Sequence, residues 1–481
     1  MSGGAGTKGV GMNAEQLLRE VSDFCRVLRM AESTFGRRAV NDGKFVSRLK
    51  GGGRVTTVTV ERVRAFMSRS LAEHSDRGVA NGSLEGFNSD LYGMTDGRPV
   101  RQAAPEQNFR FYDNRQKYLM LVNTCSEKRV VVARVADELG HLRPKPPALR
   151  VFDAGVGDGT LLSGVMRWMH RLYETHPFYI VGKEISLEDV RLALSQTPDR
   201  FFEHPATVLV MTNLAYADAP LLVPGKPDAA SRMVWHEVAL KGRTSAEFEE
   251  QVTELQPFLA ENWRAKISRT TGRPVYEKPV VLVLYREDHR FMLEQVIPRR
   301  GAVRADFDMV IASQPYRAEA PTEFKAKRVI APLVRALAPG GRLLGIHSCG
   351  GDPGLEIVQR IWPGKQPFLS DRHAILRAVK QELGKAAHHF QFVSNADAKA
   401  IFRYDMHTLP GEIGGGEGAI GTSTLLAAWN AATYVAQIED IDLAEAMNND
   451  AYLTATKDIL LKYGGLWFFD ESYIIKRKRD L

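Results

Sequence analysis

Residues 151–162 read VFDAGVGDGTLL. An apolar run ends on Asp153, and glycines follow at alternate positions, Gly155, Gly157 and Gly159. A helical spacing begins at Thr160 and continues through Leu161, Leu162, Val165, Met166 and Met169. This succession predicts a strand, a tight turn and an amphipathic helix. Glycine permits unusual dihedrals and lets a ligand approach the backbone closely. Nucleotide-type ligands sit at such turns, at the C-terminal edge of a parallel sheet.

The predicted helix ends near a His176-Pro177 break, and a second strand, FYIVGKEIS, carries Glu184 at its C-terminal end. An acid there accepts hydrogen bonds from ribose hydroxyls. The glycine spacing taken alone also fits a nicotinamide or flavin site, or a turn with no ligand. Turn, helix, strand and terminal acid together resemble motifs I and II of class I S-adenosylmethionine (SAM) methyltransferases. The resemblance implies SAM as cofactor, with Gly155, Gly157 and Gly159 passing close to it. It also implies Asp153 near the methionine end and Glu184 on the ribose. The fold it implies is α/β: a doubly wound, mostly parallel, seven-stranded Rossmann-like sheet.

Further strands are expected at ATVLVMTN (206–213), FDMVIASQPY (307–316) and GGRLLGIHS (340–348), the last after a helix that breaks at Pro339-Gly340. By the resemblance, Asn213 bonds the adenine amino group, with Asp218 as its rival. The loop Ser313-Gln314-Pro315-Tyr316 resembles the Asn/Asp/Ser-Pro-Pro-Tyr loop of methyltransferases acting on planar amino groups. It is similar also to the Asn/Ser-x-Pro-Tyr form of rRNA adenine dimethyltransferases. The resemblance gives Ser313 and a backbone carbonyl the acceptor's amino hydrogens, Tyr316 a stacking face and Pro315 a stiff turn. Gln314 departs from the double-proline form. A conjugated nitrogen has a delocalised lone pair. Hydrogen bonds that favour a tetrahedral nitrogen restore its nucleophilicity, and stacking aligns it with the methyl.

The chain has 481 residues, enough for more than one domain, with 44% hydrophobic and 25% charged residues. No apolar run reaches ~18 residues, so no membrane span is expected. The first residues, MSGGAGTKGVGMN, lack an apolar signal core. Cys25, Cys125 and Cys349 are odd in number and far apart, which gives neither a metal spacing nor a disulfide framework. The expectation is a cytoplasmic protein without a metal. The net charge of +7 permits nucleic-acid contact without requiring it.

The basic excess is concentrated near the start. Residues 13–30 show helical spacing, a short helix is expected to about Ala39, a turn at Asn41-Asp42-Gly43, and a second helix around 44–49, ended by glycines 51–53. A further helix is expected over about 57–71. This arrangement resembles a phage-repressor helix-turn-helix. The resemblance implies that Lys44, Ser47, Arg48, Lys50 and Arg54 meet DNA phosphates or base edges. A small helical bundle with a solvated charged face has the same pattern.

The domain reading is therefore 1–71 helix-turn-helix-like, 72–107 a polar linker, and 108–481 the methyltransferase-like domain with an insertion at about 214–306. Residues 108–139 are expected to be helical, with Tyr112, Asn114 and Tyr118 as candidates for a lid over SAM. Within the insertion, Thr244-x-x-Glu247 reads as a capping box and PVVLVLYR (279–286) as a buried strand. Trp235, His236 and Glu237 lie there too, and a lone histidine of this kind is more often structural than a base. FQFVSN and WFFDESYIIKRK read as late strands separated by helices over about 420–463. His347, Cys349 and Asp352 crowd one glycine loop, an arrangement that suits substrate better than zinc. The functional expectation is a SAM-dependent methyltransferase acting on a planar nitrogen of a nucleic-acid base or an amide. The alternatives are a DNA-binding regulator that senses SAM and a small-molecule methyltransferase.

Overall fold

The structure, a computed structural model, describes residues 17–18, 21–22, 24–25, 32–40, 42–51, 59–60, 63, 66–67, 115–267, 274–407 and 420–479. The chain divides into two units, Met1–Gln102 and Ala103–Leu481.

In the first unit, helices α1 (Glu32–Val40) and α2 (Phe45–Lys50) flank a turn. Phe35, Ala39, Phe45, Val46 and Leu49 share a small core with Leu17, Val21, Phe24, Cys25, Val63 and Met67. Arg54, the expected linker and the lid candidates Tyr112 and Asn114 lie outside the described residues.

The second unit is α/β. Helices α3 (Arg115–Thr124) and α4 (Glu127–Leu139) lead into strand β1 (Leu149–Asp153), helix α5 (Thr160–Leu172), β2 (Phe178–Lys183), α6 (Leu187–Ser195) and β3 (Thr207–Thr212). The insertion then supplies β4 (Val234–Leu240), α7 (Ser245–Glu254), α8 (Gln256–Asn262), a hairpin of β5 (Ala265–Ile267) and β6 (Pro274–Tyr276), and β7 (Val280–Arg286). The chain returns through β8 (Phe307–Ser313), β9 (Leu337–Ser348), α9 (Pro353–Ile361), α10 (Arg372–Leu383), β10 (Phe390–Val393) and β11 (Ile401–Asp405). Helices α11 (Thr422–Val435) and α12 (Ala451–Tyr463) precede β12 (Trp467–Arg477).

The main sheet runs β10-β12-β9-β8-β1-β2-β3-β7-β4, with β11 paired to β12, so it has ten strands rather than the expected seven. Strands β1, β2, β3, β8 and β9 are mutually parallel, and β12 is antiparallel to β9 and β10. Seven strands thus follow the expected doubly wound order. The surplus comes from two insertion strands beyond β3 and from β11. Successive strands are added outward in opposite directions on either side of β1, since β2 is followed outward by β3 and β8 by β9. The C-terminal ends of β1 and β8 therefore flank a topological switch point.

Apolar side chains alternate between the two faces of the sheet. One core gathers Phe152, Tyr179, Val181 and Val310. The other gathers Val151, Ile180, Met309 and all five predicted apolar positions of α5. The expected capping box is present: Thr244 Oγ1 accepts from Glu247 N at 3.3 Å, and Glu247 Oε2 accepts from Thr244 N at 2.9 Å. The expected 108–139 helix is divided where described, because Cys125 bridges to Met406 and Ser126 Oγ accepts from Asp405 N at 3.0 Å. That diversion to β11 separates α3 from α4. No described helix is long and apolar enough to cross a membrane.

Candidate active site

Strand β1 delivers Asp153 to the sheet edge, level with Gly182 of β2 and Ile311 of β8. Asp153 is fully buried. Its Oδ1 accepts from Gly155 N at 3.1 Å, whereas Oδ2 is buried without a hydrogen-bond partner among the described residues. Burial pushes this carboxyl up to about 6, against the Gly155 N–H and the Lys128 ammonium, which favour ionisation.

Gly157 and Gly159 have φ of 56° and 87°. A Cβ on Gly159 would lie 2.6 Å from Ala193 Cα, so the turn depends on glycine to let α6 pack against it. A Cβ on Gly155 would stand 3.9 Å from the Ser313 carbonyl. Glycine turn and β8 exit loop therefore face one another.

Glu184 organises the same turn. Its Oε2 accepts from Gly157 N at 2.9 Å, and Oε1 accepts from Ile185 N at 2.7 Å and Ser186 N at 2.9 Å. A carboxylate has about four lone-pair directions, so one on Oε2 is left for a ligand hydroxyl. Trp263, from the end of α8, donates Nε1–H to the Glu184 carbonyl at 3.1 Å.

Helix α3 lays Tyr118 across the turn. The Tyr118 hydroxyl donates to Asp158 Oδ1 at 2.8 Å, and a Cβ on Gly157 would come within 2.6 Å of that hydroxyl. Lys128 Nζ lies 5.6 Å from the Tyr118 ring centroid and 3.5 Å from Glu127 Oε2. Tyr434 of α11 packs 5.9 Å from Tyr118.

The exit loop of β8 is held from below. Gln314 has φ 49°, a left-handed conformation uncommon for a residue with a side chain. Its amide donates to Ser348 Oγ at 3.0 Å and Asp470 Oδ1 at 3.3 Å, and its backbone N–H to the Ile346 carbonyl at 2.9 Å. Strain of this kind persists where the surroundings over-determine it. Asp470 Oδ1 also accepts from Ser348 Oγ at 2.8 Å, while Oδ2 is buried and has no partner among the described residues. Burial, with Glu127 adding to it, pushes the Asp470 carboxyl up to about 8. The Pro315 carbonyl accepts from the Tyr216 hydroxyl at 2.7 Å.

Tyr316 points inward rather than offering an open stacking face. Its hydroxyl lies 3.0 Å from His347 Nδ1 and 3.4 Å from the Tyr473 hydroxyl, and Lys325 Nζ sits 5.1 Å from its ring centroid. His347 Nε2 is 2.9 Å from Glu471 Oε1, and Arg372 donates to Glu471 Oε2 at 2.8 Å. A tyrosine hydroxyl seeks a partner when buried, and the hydrogen-bonded chain behind the loop supplies one.

Other expectations are placed elsewhere. Asn213 is committed to the insertion: its Nδ2 donates to the Lys278 carbonyl at 2.9 Å and its Oδ1 accepts from Val280 N at 2.8 Å. Each amide atom thus gives one bond to the β3–β7 junction, and the adenine contact expected of Asn213 would have to use its remaining N–H or lone pair. Its rival Asp218 is half-buried and bonded to the Gly225 backbone. His236 stacks on Phe258 at 4.4 Å, and Glu237 accepts from Tyr285 at 2.6 Å. Of the His347-to-Asp352 loop, Asp352 caps α9 and Cys349 Sγ bonds the Phe469 carbonyl. Among the described residues no group of His, Cys, Asp and Glu is arranged to hold a metal ion.

In the first unit Lys44, Ser47, Arg48 and Lys50 are exposed. Arg48 pairs with Asp42, and Lys50 Nζ with Glu32 at 2.7 Å. Sequence reasoning missed Lys128, Asp158, Lys183, Tyr216 and Trp263. Asp158 stood within the quoted turn, and Lys183 next to the quoted acid.

No family model and no curated protein matches the chain. Among solved structures, the chain is similar to a geranyl diphosphate C-methyltransferase from Streptomyces coelicolor A3(2), at 14% identity over 81% of this chain and 94% of that one, TM-score 0.27. It is similar also to a phosphoethanolamine N-methyltransferase 2 of Haemonchus contortus, at 13% identity over 72% and 53% of the two chains, TM-score 0.24. A third is PKMT2 of Rickettsia typhi, at 10% identity over 74% and 53%, TM-score 0.24. Scores this low assign neither fold nor activity.

Proposed function

We propose that this chain is a SAM-dependent methyltransferase whose acceptor is a nitrogen. The observation that carries the reading is Asp153 Oδ2, a buried carboxylate oxygen with no partner among the described residues, beside a left-handed glycine turn at the switch point of the sheet. A buried polar atom left unbonded is costly, and the ammonium of a methionine moiety is a partner of the right charge. The residues fit the cofactor: Asp153 takes its ammonium, the free lone pair of Glu184 a ribose hydroxyl, and Gly155 and Gly157 its close approach. When bound, SAM supplies an activated sulfonium methyl.

The chain's own part is alignment. Ser313 and the Gln314 carbonyl are the candidate acceptors for the amino hydrogens of the substrate. Gln314 holds the loop's shape through Ser348 and Asp470. Tyr316 anchors the loop from within through His347, a role that replaces stacking in this proposal. Tyr118 is the lid, and leaving its Asp158 bond is what admits the cofactor. The exposed Lys44, Ser47, Arg48 and Lys50 support a further proposal, that the first unit touches nucleic-acid phosphates, a contact that weakens as salt rises because released counterions no longer favour it.

The test incubates the full chain with methyl-labelled SAM and a cell extract, then separates nucleic acid, protein and small molecules. Label in a nitrogen-linked methyl of any fraction supports the proposal. Binding of SAM with no label in any fraction would make the chain a SAM-sensing protein.

A further inference from the structure

Lys183 is the last residue of β2 and is only 9% exposed. Among the described residues its ammonium has no hydrogen-bond acceptor. What it has is the face of Tyr216, whose ring centroid lies 4.5 Å from Nζ. Glu184 next along the chain is the charged group acting on it, yet the Glu184 carboxylate is turned to the backbone N–H groups of Gly157, Ile185 and Ser186. Burial of the side chain lowers the proton affinity of this ammonium, so a partnering anion would favour its charged form.

The surroundings connect this cation to the reacting loop. Side chains alternate along β2, so Lys183 follows Tyr179 and Val181 onto the face that carries Ala312 and Tyr316. Tyr216, over which the ammonium rests, donates its hydroxyl to the Pro315 carbonyl at 2.7 Å. Lys183 therefore stands at the C-terminal edge of the sheet, one side chain removed from the exit loop of β8. Asp153 and Glu184 both act electrostatically on Tyr216, which places this corner beside the cofactor carboxylates as well.

We propose that Lys183, backed by Tyr216, binds an anionic oxygen group of the methyl acceptor, so that the substrate is a small molecule bearing a carboxylate or a phosphate near its nitrogen. This rests on the methyltransferase reading above. A point charge on a flexible stem suits such a group, with Tyr216 holding the ammonium in place. The anion completes the coordination that the fold leaves open, and it fixes the distance between the acceptor nitrogen and the Ser313–Gln314 turn.

The full chain and its Lys183→Met and Lys183→Arg variants are titrated by calorimetry with S-adenosylhomocysteine. Each is then titrated with glycine and with phosphoethanolamine, in the presence and absence of that ligand. Both probes carry an amine, one with a carboxylate and the other with a phosphate. The expected result is binding of at least one probe to the wild type, weakened tenfold or more in Lys183→Met and restored in part by Lys183→Arg. Affinity for S-adenosylhomocysteine stays within threefold throughout. Whichever probe binds identifies the anion. Equal binding of the probes to wild type and Lys183→Met, or binding of neither probe, overturns the proposal. Loss of S-adenosylhomocysteine binding in Lys183→Met alone also overturns it, by assigning the lysine to the cofactor. Failure of the wild type to bind S-adenosylhomocysteine refutes instead the reading beneath it.

Discussion

A single methyl group added at two points of the glycine turn separates packing from lid closure. In Gly159→Ala the new Cβ lies 2.6 Å from Ala193 Cα and 3.0 Å from Ala193 Cβ, at φ +87°. The left-handed conformation costs an alanine about 1–2 kcal/mol. The obstacle is backbone, so α6 must shift, at an overpacking cost of about 1–3 kcal/mol. The sum, about 2–5 kcal/mol, is a large part of the stability of a domain. Gly157→Ala carries the same conformational cost at φ +56°, but its Cβ meets the Tyr118 hydroxyl, at 2.6 Å. That hydroxyl swings aside at the loss of its bond to Asp158, about 1.5–3 kcal/mol for a carboxylate acceptor. Tyr118→Phe forfeits the same bond once. The double variant Gly157→Ala/Tyr118→Phe is therefore more stable than the two single losses added together, by about 1.5–3 kcal/mol. Gly159→Ala combined with Tyr118→Phe is additive. The six tryptophans all lie between positions 168 and 467, so their fluorescence during urea denaturation follows the second unit. Additivity in the Gly157 pair, or wild-type stability of Gly159→Ala, would refute the contact geometry on which the lid assignment stands.

Four other outcomes are expected. The Asp153 carboxyl is raised to about 6 by burial, so its stabilising contribution is full below about pH 4 and is lost as pH rises through 6; Asp153→Asn should make the free chain more stable at pH 8, by roughly 3 kcal/mol at most, and abolish SAM binding, both measured by denaturation and calorimetry. Because a cationic ligand favours the ionised carboxylate, SAM binding at pH 5.5 should release protons, seen as a dependence of binding heat on buffer ionisation enthalpy; a heat independent of buffer counts against Asp153 as its partner. Tyr316→Phe should lower turnover at saturating SAM with SAM affinity unchanged, since it frees the loop from His347; equal turnover would remove Tyr316 from the mechanism. If the first unit meets phosphates, full-chain binding to duplex DNA should weaken steeply between 50 and 200 mM salt, and further in Arg48→Ala/Lys50→Ala.

The fold was legible where the chain is locally periodic. Strands β2, β3, β7, β8 and β12 fall within segments read as strands and β1 overlaps its own, and α5 buries all of its predicted stripe. What escaped prediction depends on distant partners. Strand β11 pairs with β12 across some sixty residues, and β4 alternates too weakly to stand out beside the fully buried β7. The glycine turn and Glu184 were readable as a motif because their chemistry is local. That Glu184 serves the loop backbone first follows from where Gly157 N–H points. Asn213 shows the same limit: its position after β3 is the adenine position by analogy, but the inserted segment beside it engages each amide atom once. Tyr316 was legible as part of a loop but not in its direction, because His347 and Tyr473, which draw its hydroxyl inward, lie 31 and 157 residues away.

The two insertion strands change what β3 is. Without them β3 would be the rim of the sheet, a row of unpaired N–H and C=O groups close to the cofactor half and open to another chain. With β7 laid antiparallel against it and β4 beyond, β3 becomes an interior strand and the rim moves outward by two positions. The new rim strand is only partly buried and carries His236 and Glu237, polar groups of the kind that discourage edge-to-edge association. Amide protons of β3 should accordingly exchange on the slow timescale of global opening, and those of β4 much sooner. The ninety-odd residues between β3 and β8 thus act as a selvedge, keeping the half of the sheet that carries Glu184 from fraying.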